Sequence, residues 1–213
     1  MKIKVSDSIG SVSAEISKAK DPKDILVLAH GAGAGMHHPF MKSLSDELNK
    51  LSVTVIRFNF PFTENKKGRP DVPAVAHATI EAVINAASKK FPSLHIFASG
   101  KSFGGRMTSQ LMAAKDLTEV KGIIFFGFPL HQPGNPSLER AEHLKKVKVP
   151  MLFLQGTRDA LADYKLIQKI AKPIKNSTLK VFEGADHSFK SGKLNLIPTL
   201  AQDAATWMLN VSL

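Results

Sequence analysis

The sequence predicts an α/β fold in which helices cover both faces of a mostly parallel sheet. Two runs, residues 25–29 and 150–154, are almost entirely apolar, which is typical of strands buried on both faces of a parallel sheet. Between the strands, segments such as residues 39–51 repeat apolar side chains at helical spacing. A chain of 213 residues without a shift in composition is expected to form one domain, residues 1–213.

The other elements extend this alternation along the chain. Alternating residues around a turn at the N-terminus predict an antiparallel hairpin. The predicted hairpin covers residues 2–5 and 11–16, and the other predicted strands cover residues 25–29, 53–58, 96–98, 122–126, 150–154 and 178–182. The predicted helices cover residues 39–51, 72–90, 107–114, 137–144, 160–172 and 196–213. Two long loops are predicted at residues 59–71 and 127–137.

The composition excludes several classes of protein. Hydrophobic residues make up 43% of the chain and charged residues 22%, so we expect a folded protein, not a disordered one. No apolar run is long enough for a membrane span, and the N-terminus lacks the apolar core of a secretory signal. A cytoplasmic location is therefore expected. The absence of cysteine rules out disulfides and a thiol nucleophile.

A net charge of +11 favours anionic partners or substrates. The lysine clusters at residues 66–67, 89–90 and 145–148 lie in predicted loops or at helix ends, and no nucleic-acid-binding motif accompanies them. Nucleic-acid binding through stacking requires interleaved aromatic side chains, but the chain has one Trp and one Tyr. A solvated basic surface is the favoured interpretation, and a nucleic-acid binder is kept as an alternative.

The sequence GKSFG at residues 100–104 matches the G-x-S-x-G motif between a predicted strand and a predicted helix. In such a turn the serine lies at the apex, and flanking glycines avoid collisions with the neighbouring strand and helix. Ser102 is therefore the predicted nucleophile, and the N–H of Phe103 is a predicted oxyanion donor. A phosphate-binding loop would need glycine at position 95, where His95 stands.

A second glycine-rich loop, HGAGAG at residues 30–35, follows the strand at residues 25–29. Open parallel sheets bind ligands at this edge. A dinucleotide-binding fingerprint would need glycine at position 36, where Met36 stands. We expect the N–H of Ala32 to be the second oxyanion donor, with Gly33 beside the substrate.

Three histidines in and after this loop raise the possibility of a metal site. His30, His37 and His38 have no acidic or cysteine partner at ligand spacing. We interpret them as loop or rim histidines, and neither a metal nor a cofactor is predicted.

An acid and a histidine each follow the end of a predicted strand in the last third of the chain. Asp159 follows residues 150–154, and His187 follows residues 178–182. The carboxyl ends of parallel strands share one edge of a sheet, so both are expected near Ser102. Asp163 is the other candidate acid, but it falls in the predicted helix at residues 160–172, where the helix dipole explains it. The order Ser102, Asp159, His187 is that of α/β-hydrolases.

Four segments together resemble one family. HGAGAGMHHPFM, GKSFGGRM, GFPLHQPG and QGTRD are similar to the small dienelactone-hydrolase-like branch of the α/β-hydrolases, in the group that includes a hydrolase-like subunit of the NSL histone acetyltransferase complex and its bacterial relatives. The resemblance implies an eight-stranded, mostly parallel sheet with helices on both faces. It also implies that Ser102 is the nucleophile, His187 the base and Asp159 its orienting acid. Dienelactone hydrolase itself uses cysteine, so the resemblance does not imply a lactone substrate.

These observations predict a serine hydrolase that cleaves a small ester or thioester substrate. The predicted connection after residues 122–126 holds only a short helix, so a minimal lid or none is expected. His131 and Phe128 are expected to line the site, and Lys101, Arg106 and Arg158 to favour anionic acyl groups if they face it. The alternative is a hydrolase-fold protein that acts as an interaction scaffold.

Overall fold

A computed structural model describes residues 1–212. Its main feature is one eight-stranded sheet in the order β1-β2-β4-β3-β5-β6-β7-β8. β1 and β2 are antiparallel to each other, β2 is antiparallel to β4, and all other neighbouring strands are parallel. The strands are β1 Lys2–Ser6, β2 Gly10–Ser17, β3 Asp24–Ala29, β4 Val53–Phe58, β5 His95–Lys101, β6 Val120–Phe126, β7 Met151–Gly156 and β8 Ser177–Phe182.

Six α-helices and a 3₁₀ segment are described within residues 1–212. The helices are α1 Pro39–Lys50, α2 Pro61–Glu64, α3 Pro73–Lys90, α4 Phe103–Ala114, α5 Tyr164–Ala171 and α6 Ile197–Ser212, and the 3₁₀ segment is Glu139–Lys146. A small separate hairpin, β9 Lys190–Ser191 with β10 Leu194–Asn195, connects β8 to α6.

The sheet separates two hydrophobic cores. Successive residues of β3 alternate between them: Ile25 and Val27 belong to one core, and Leu26 and Leu28 to the other. Residues of α3, α4 and α5 complete the first core, and residues of α1 and α6 complete the second. Because both faces are covered, the central strands are mostly apolar.

The architecture confirms the predicted α/β-hydrolase fold with its eight-stranded sheet. The connection from β6 to β7 contains only the 3₁₀ segment, which agrees with the expected minimal lid. Among residues 1–212, no helix combines the length and apolar character needed to cross a bilayer.

Several predicted boundaries were wrong. The predicted loop at residues 59–71 contains α2, a single turn that begins with a proline at its first position and is too short for a periodic apolar pattern. The predicted helix at residues 107–114 begins earlier, at Phe103, directly after the turn. The segment predicted as a helix at residues 137–144 is the 3₁₀ segment, and the helix predicted from residue 160 begins at Tyr164. The last predicted helix included Leu213, which lies outside the described residues.

Close packing of β3, β5 and α4 depends on the glycines of the GKSFG motif. A Cβ on Gly100 would lie 2.2 Å from the backbone N of Gly105, and a Cβ on Gly104 would lie 2.6 Å from the carbonyl oxygen of Ala29. Backbone atoms cannot move out of the way without separating the strands from the helix. The motif is therefore a steric requirement of this fold.

We expect Gly104→Ala to lower the free energy of unfolding by about 1–3 kcal/mol, because the new methyl group overpacks the contact with β3. Alanine has the higher helix propensity, so any loss must come from this contact. Urea denaturation measures the change. Gly68→Ala is the matched control, since a Cβ there has no neighbour within 4 Å, and its effect should stay within about 0.5 kcal/mol. Equal effects of the two substitutions would contradict the prediction.

Candidate active site

Ser102 occupies the sharp turn between β5 and α4. Its φ of 51° and ψ of −117° place it in a backbone region that non-glycine residues rarely adopt. The turn directs the Ser102 side chain toward the edge of the sheet formed by the carboxyl ends of the parallel strands. Ser102 and Lys101 line the same cleft at this edge.

A continuous chain of hydrogen bonds links Ser102, His187 and Asp159. The Ser102 Oγ lies 2.8 Å from His187 Nε2, and His187 Nδ1 lies 2.7 Å from Asp159 Oδ2. Asp159 is buried, whereas His187 is partly exposed to the cleft. The structure thus brings together three side chains that are 85 and 28 residues apart along the chain.

Two further groups hold the Asp159 carboxylate in place. The side-chain amide of Gln155, at the end of β7, donates to Asp159 Oδ2 at 2.6 Å, and the N–H of Leu161 donates to Oδ1 at 2.8 Å. The Gln155 carbonyl oxygen accepts from the N–H of Phe128 at 3.0 Å, which fixes the orientation of the amide. Sequence analysis did not single out Gln155. Its only signals are its position one residue past the predicted strand at residues 150–154 and its place in the QGTRD segment.

The two predicted oxyanion donors belong to segments that adjoin Ser102. Phe103 is the first residue of α4, whose initial N–H groups have no partner within the helix. Ala32 lies in the loop after β3, and a Cβ on the neighbouring Gly31 would lie 3.6 Å from Ser102 Cβ, so this loop contacts the nucleophile candidate. Neither the Ala32 N–H nor the Phe103 N–H donates to a backbone carbonyl elsewhere in residues 1–212.

The cleft in front of Ser102 has a volume of about 620 Å³. Ala32 and Gly33 form part of its wall, and apolar contacts come from Phe40 and Leu161. The size lies within the range of small-molecule sites. Gly33 therefore lies where it was predicted, although its contact with substrate stays a prediction.

Lys101 is the cation closest to the nucleophile candidate along the chain. Its Nζ donates to the carbonyl oxygen of His187 at 2.5 Å and lies 5.9 Å and 5.5 Å from the ring centres of Phe40 and Phe189. Burial lowers the pKa of Lys101 to about 8, although the carboxylates of Asp159 and Asp186 oppose this shift.

The loop histidines do not form a metal site in the described part of the chain. In residues 1–212 no group of three or more His, Cys, Asp or Glu residues is arranged to hold an ion. His30 was predicted at the loop or rim but is fully buried: its Nδ1 donates to the Gly31 carbonyl at 2.8 Å, and its Nε2 accepts from the Phe60 N–H at 3.1 Å. Burial lowers the pKa of His30 to about 4 and keeps the ring neutral.

The prediction that His131 and Phe128 line the cleft was wrong. His131 is buried, and its Nδ1 donates to the carbonyl of Gln132 at 2.8 Å while its Nε2 accepts from the N–H of Asp163 at 2.8 Å. The ring therefore joins the loop after β6 to the loop before α5. Phe128 packs in the first core. Neither residue is among those that line the cleft.

Of the three cations expected near the substrate, only Lys101 lines the cleft. Arg158 is exposed outside it. The half-buried Arg106 lies near Arg140; burial and that second guanidinium lower the pKa of Arg106. Lys190 and His38 also line the cleft, although neither was predicted to do so.

Asp163 lies at the N-terminus of α5 and not beside His187. Its side chain accepts a hydrogen bond from the Leu166 N–H at 3.0 Å, so Asp163 is the N-cap of the helix. The expectation that a helix terminus accounts for this acid agrees with the contact, although the residue is the N-cap and not part of the first turn.

Solved structures of other proteins have the same fold. Dienelactone hydrolase from Anabaena variabilis matches with a TM-score of 0.78 at 15% identity over 99% of this chain and 95% of that chain. An α/β serine hydrolase homologue from Coxiella burnetii matches with 0.76 at 19% identity over 95% and 96%. An α/β serine hydrolase without a lid, from Xanthomonas campestris, matches with 0.74 at 19% identity over 97% and 93%.

The structural likeness at these identities shows the fold alone, but a sequence-family comparison goes further. A model described as an alpha/beta hydrolase domain matches residues 22–205, which is most of the chain. That span includes β3 with its glycine-rich loop, the turn at Ser102, and the loops that carry Asp159 and His187. The chain therefore belongs to the α/β-hydrolase superfamily.

Proposed function

We propose that this protein is a serine hydrolase that cleaves carboxylic esters or thioesters through an acyl-enzyme on Ser102. The observation that carries the proposal is the hydrogen-bonded chain from Ser102 through His187 to Asp159, with heavy-atom distances of 2.8 Å and 2.7 Å. A serine hydroxyl is a poor nucleophile until a base takes its proton, and both distances are suitable for proton transfer and for orienting the base.

In the first half of the proposed reaction, His187 Nε2 takes the proton of Ser102 as Oγ attacks the carbonyl carbon of the substrate. The N–H groups of Ala32 and Phe103 stabilise the oxyanion of the tetrahedral intermediate. His187 then gives the proton to the leaving alcohol or thiol, and the bond between the carbonyl carbon and the leaving group breaks. Asp159 stays ionised and stabilises the imidazolium throughout.

In the second half, His187 removes a proton from a water molecule that attacks the acyl group on Ser102. The same oxyanion donors act again, the Ser102 Oγ leaves with the proton from His187, and a carboxylic acid is released. Gln155 and the Leu161 N–H contribute by keeping the Asp159 carboxylate in one orientation, so His187 retains the tautomer that leaves Nε2 free to accept.

The cleft supports a small substrate with an anionic part. Its volume of about 620 Å³ suits a short acyl group, and apolar contacts from Phe40 and Leu161 suit a hydrocarbon chain. Lys101 and Lys190 line the cleft, and positive charge near a site favours an anionic substrate. Of the residues near the reacting atoms, Gly33 is the proposed substrate contact.

We expect a fluorophosphonate probe to label the wild-type protein at Ser102, because such probes react with activated serines. Ser102→Ala should abolish labelling and lower turnover of a short-chain p-nitrophenyl ester by about 10⁴-fold or more, since only the nucleophile is removed. Mass spectrometry of the labelled peptide and initial rates measure the two effects. The matched control is Ser188→Ala, which removes another hydroxyl of the cleft and should still be labelled.

Two results would contradict the assignment of Ser102, and a third would favour the scaffold alternative. Activity of Ser102→Ala within tenfold of wild type, or label on a serine other than Ser102, would remove Ser102 as the nucleophile. An unlabelled wild-type protein without esterase activity is what an interaction scaffold predicts.

Asp159→Asn should impair catalysis, whereas Asp163→Asn should not. The amide of the first variant would donate toward His187 Nδ1 and select the wrong tautomer, so kcat should fall by roughly 10³- to 10⁴-fold. Asparagine is about as good an N-cap as aspartate, so Asp163→Asn should change the free energy of unfolding by less than about 1 kcal/mol and leave kcat close to wild type. Steady-state kinetics and urea denaturation of both purified variants test this. The reverse result would assign the orienting role to Asp163.

A further inference from the structure

Lys101 connects the strand before the nucleophile candidate to the loop that carries His187. It is the last residue of β5, directly before Ser102, and its Nζ donates to the His187 carbonyl at 2.5 Å. The rings of Phe40 and Phe189 lie within 6 Å of the ammonium, at distances typical of cation–π contacts. Phe189 belongs to the same loop as His187, so Lys101 contacts that loop at two points.

Gly127, the residue after β6, also lies close to the Lys101 ammonium. A Cβ there would lie 3.2 Å from Lys101 Nζ and 3.5 Å from the His187 ring, and the φ of Gly127 is +73°. Any larger residue would compete with both groups for the same volume. The residue after β6 thus leaves room for the lysine and the imidazole to lie side by side.

We propose that Lys101 is a positioning residue whose ammonium holds the backbone of the His187 loop, so that the imidazole faces Ser102. The inference rests on the proposed serine hydrolase function. The hydrogen bond fixes the carbonyl of His187 itself, so it restrains the backbone from which the imidazole projects. A charged donor makes this hydrogen bond about twice as strong as a neutral one would.

The charges that face the ammonium come from several elements. Asp159, in the loop after β7, and Asp186, in the loop after β8, attract it. Lys190 and His38 are the other basic side chains that line the same cleft, together with His187. Loss of the Lys101 proton would weaken the hydrogen bond to the His187 carbonyl and end the cation–π contacts. Activity should therefore fall on the alkaline side of neutrality as Lys101 titrates.

Protein stability should change in the opposite direction over the same pH range. The pKa of Lys101 is about 8 in the folded protein, against 10.5 for an unperturbed lysine. Between these values the unfolded chain binds more protons than the native protein, so the Lys101 contribution to the free energy of unfolding increases with pH. A residue with a merely structural role would not lower activity while raising stability.

Because the natural chain has no cysteine, Lys101 can be replaced by a single chemically addressable site. Alkylation of Lys101→Cys with 2-bromoethylamine gives a lysine isostere with sulfur in place of Cγ. Alkylation with 1-iodopropane gives a side chain of the same length that ends in a methyl group. Both derivatives come from one folded protein and differ only in the ammonium, so their kcat, KM, pH profiles and melting temperatures can be compared directly.

We expect the aminoethyl derivative to recover kcat to within about threefold of wild type, and the propyl derivative to have a kcat roughly 10- to 100-fold lower, the range expected for a hydrogen bond to a charged group. KM should differ by less than about threefold between them. The alkaline decline should be present only with the ammonium, and the propyl derivative should melt at the same or a higher temperature. Lys101→Arg should move the alkaline decline to higher pH, because a guanidinium stays charged.

Equal kcat values for the two derivatives, or the same alkaline decline in both, would overturn the positioning role. A change in KM alone would also overturn it, since that is the effect of a substrate contact. Fluorophosphonate labelling of wild type at Ser102 is measured first and does not depend on Lys101. Its absence would overturn the proposed hydrolase function instead, so the two failures are distinguishable.

Discussion

The backbone of Ser102 is held at a φ of 51°, and this constraint determines how the elements around the cleft are arranged. A non-glycine residue in this region carries a cost on the order of 1–3 kcal/mol, which only surrounding packing can offset. The packing comes from the close approach of α4 to β3 and β5, which Gly100 and Gly104 permit. Because α4 starts at Phe103, the same turn places a free helix N-terminus beside the Ser102 hydroxyl.

The parallel sheet accounts for the rest of the site. β5, β7 and β8 run in the same direction, so the loops after them meet at one edge and bring Ser102, Asp159 and His187 within hydrogen-bonding distance. Each chemical group is on a short loop that follows a strand of the sheet, which limits its motion. The same geometry positions Gln155, because its place near the end of β7 lets its side-chain amide donate to the Asp159 carboxylate four residues later.

The sequence was sufficient to predict features with local signals. Continuous apolar runs predicted the central strands, and G-x-S-x-G predicted the turn at Ser102, since both are steric consequences of a few adjacent residues. Contacts across the chain were not predictable in this way. His131 comes five residues after the end of β6, which suggested a place in the cleft. Its ring instead accepts a hydrogen bond from the Asp163 N–H and does not line the cleft. Gln155 and the single turn of α2 had no periodic pattern to reveal them.

The cations illustrate the same distinction in electrostatic terms. Arg158 lies close to a strand end, as Lys101 does, but its side chain is exposed and solvent screens its charge. The Lys101 ammonium lies beside two aromatic rings and a carbonyl, and burial is the main reason that its pKa is lowered. A desolvated charge interacts strongly with nearby groups and is costly to keep, so a fold retains it where its contacts offset that cost. Two of those contacts, with the His187 carbonyl and the Phe189 ring, belong to the loop of His187. An overall excess of positive charge is therefore a weaker guide to function than this one desolvated ammonium.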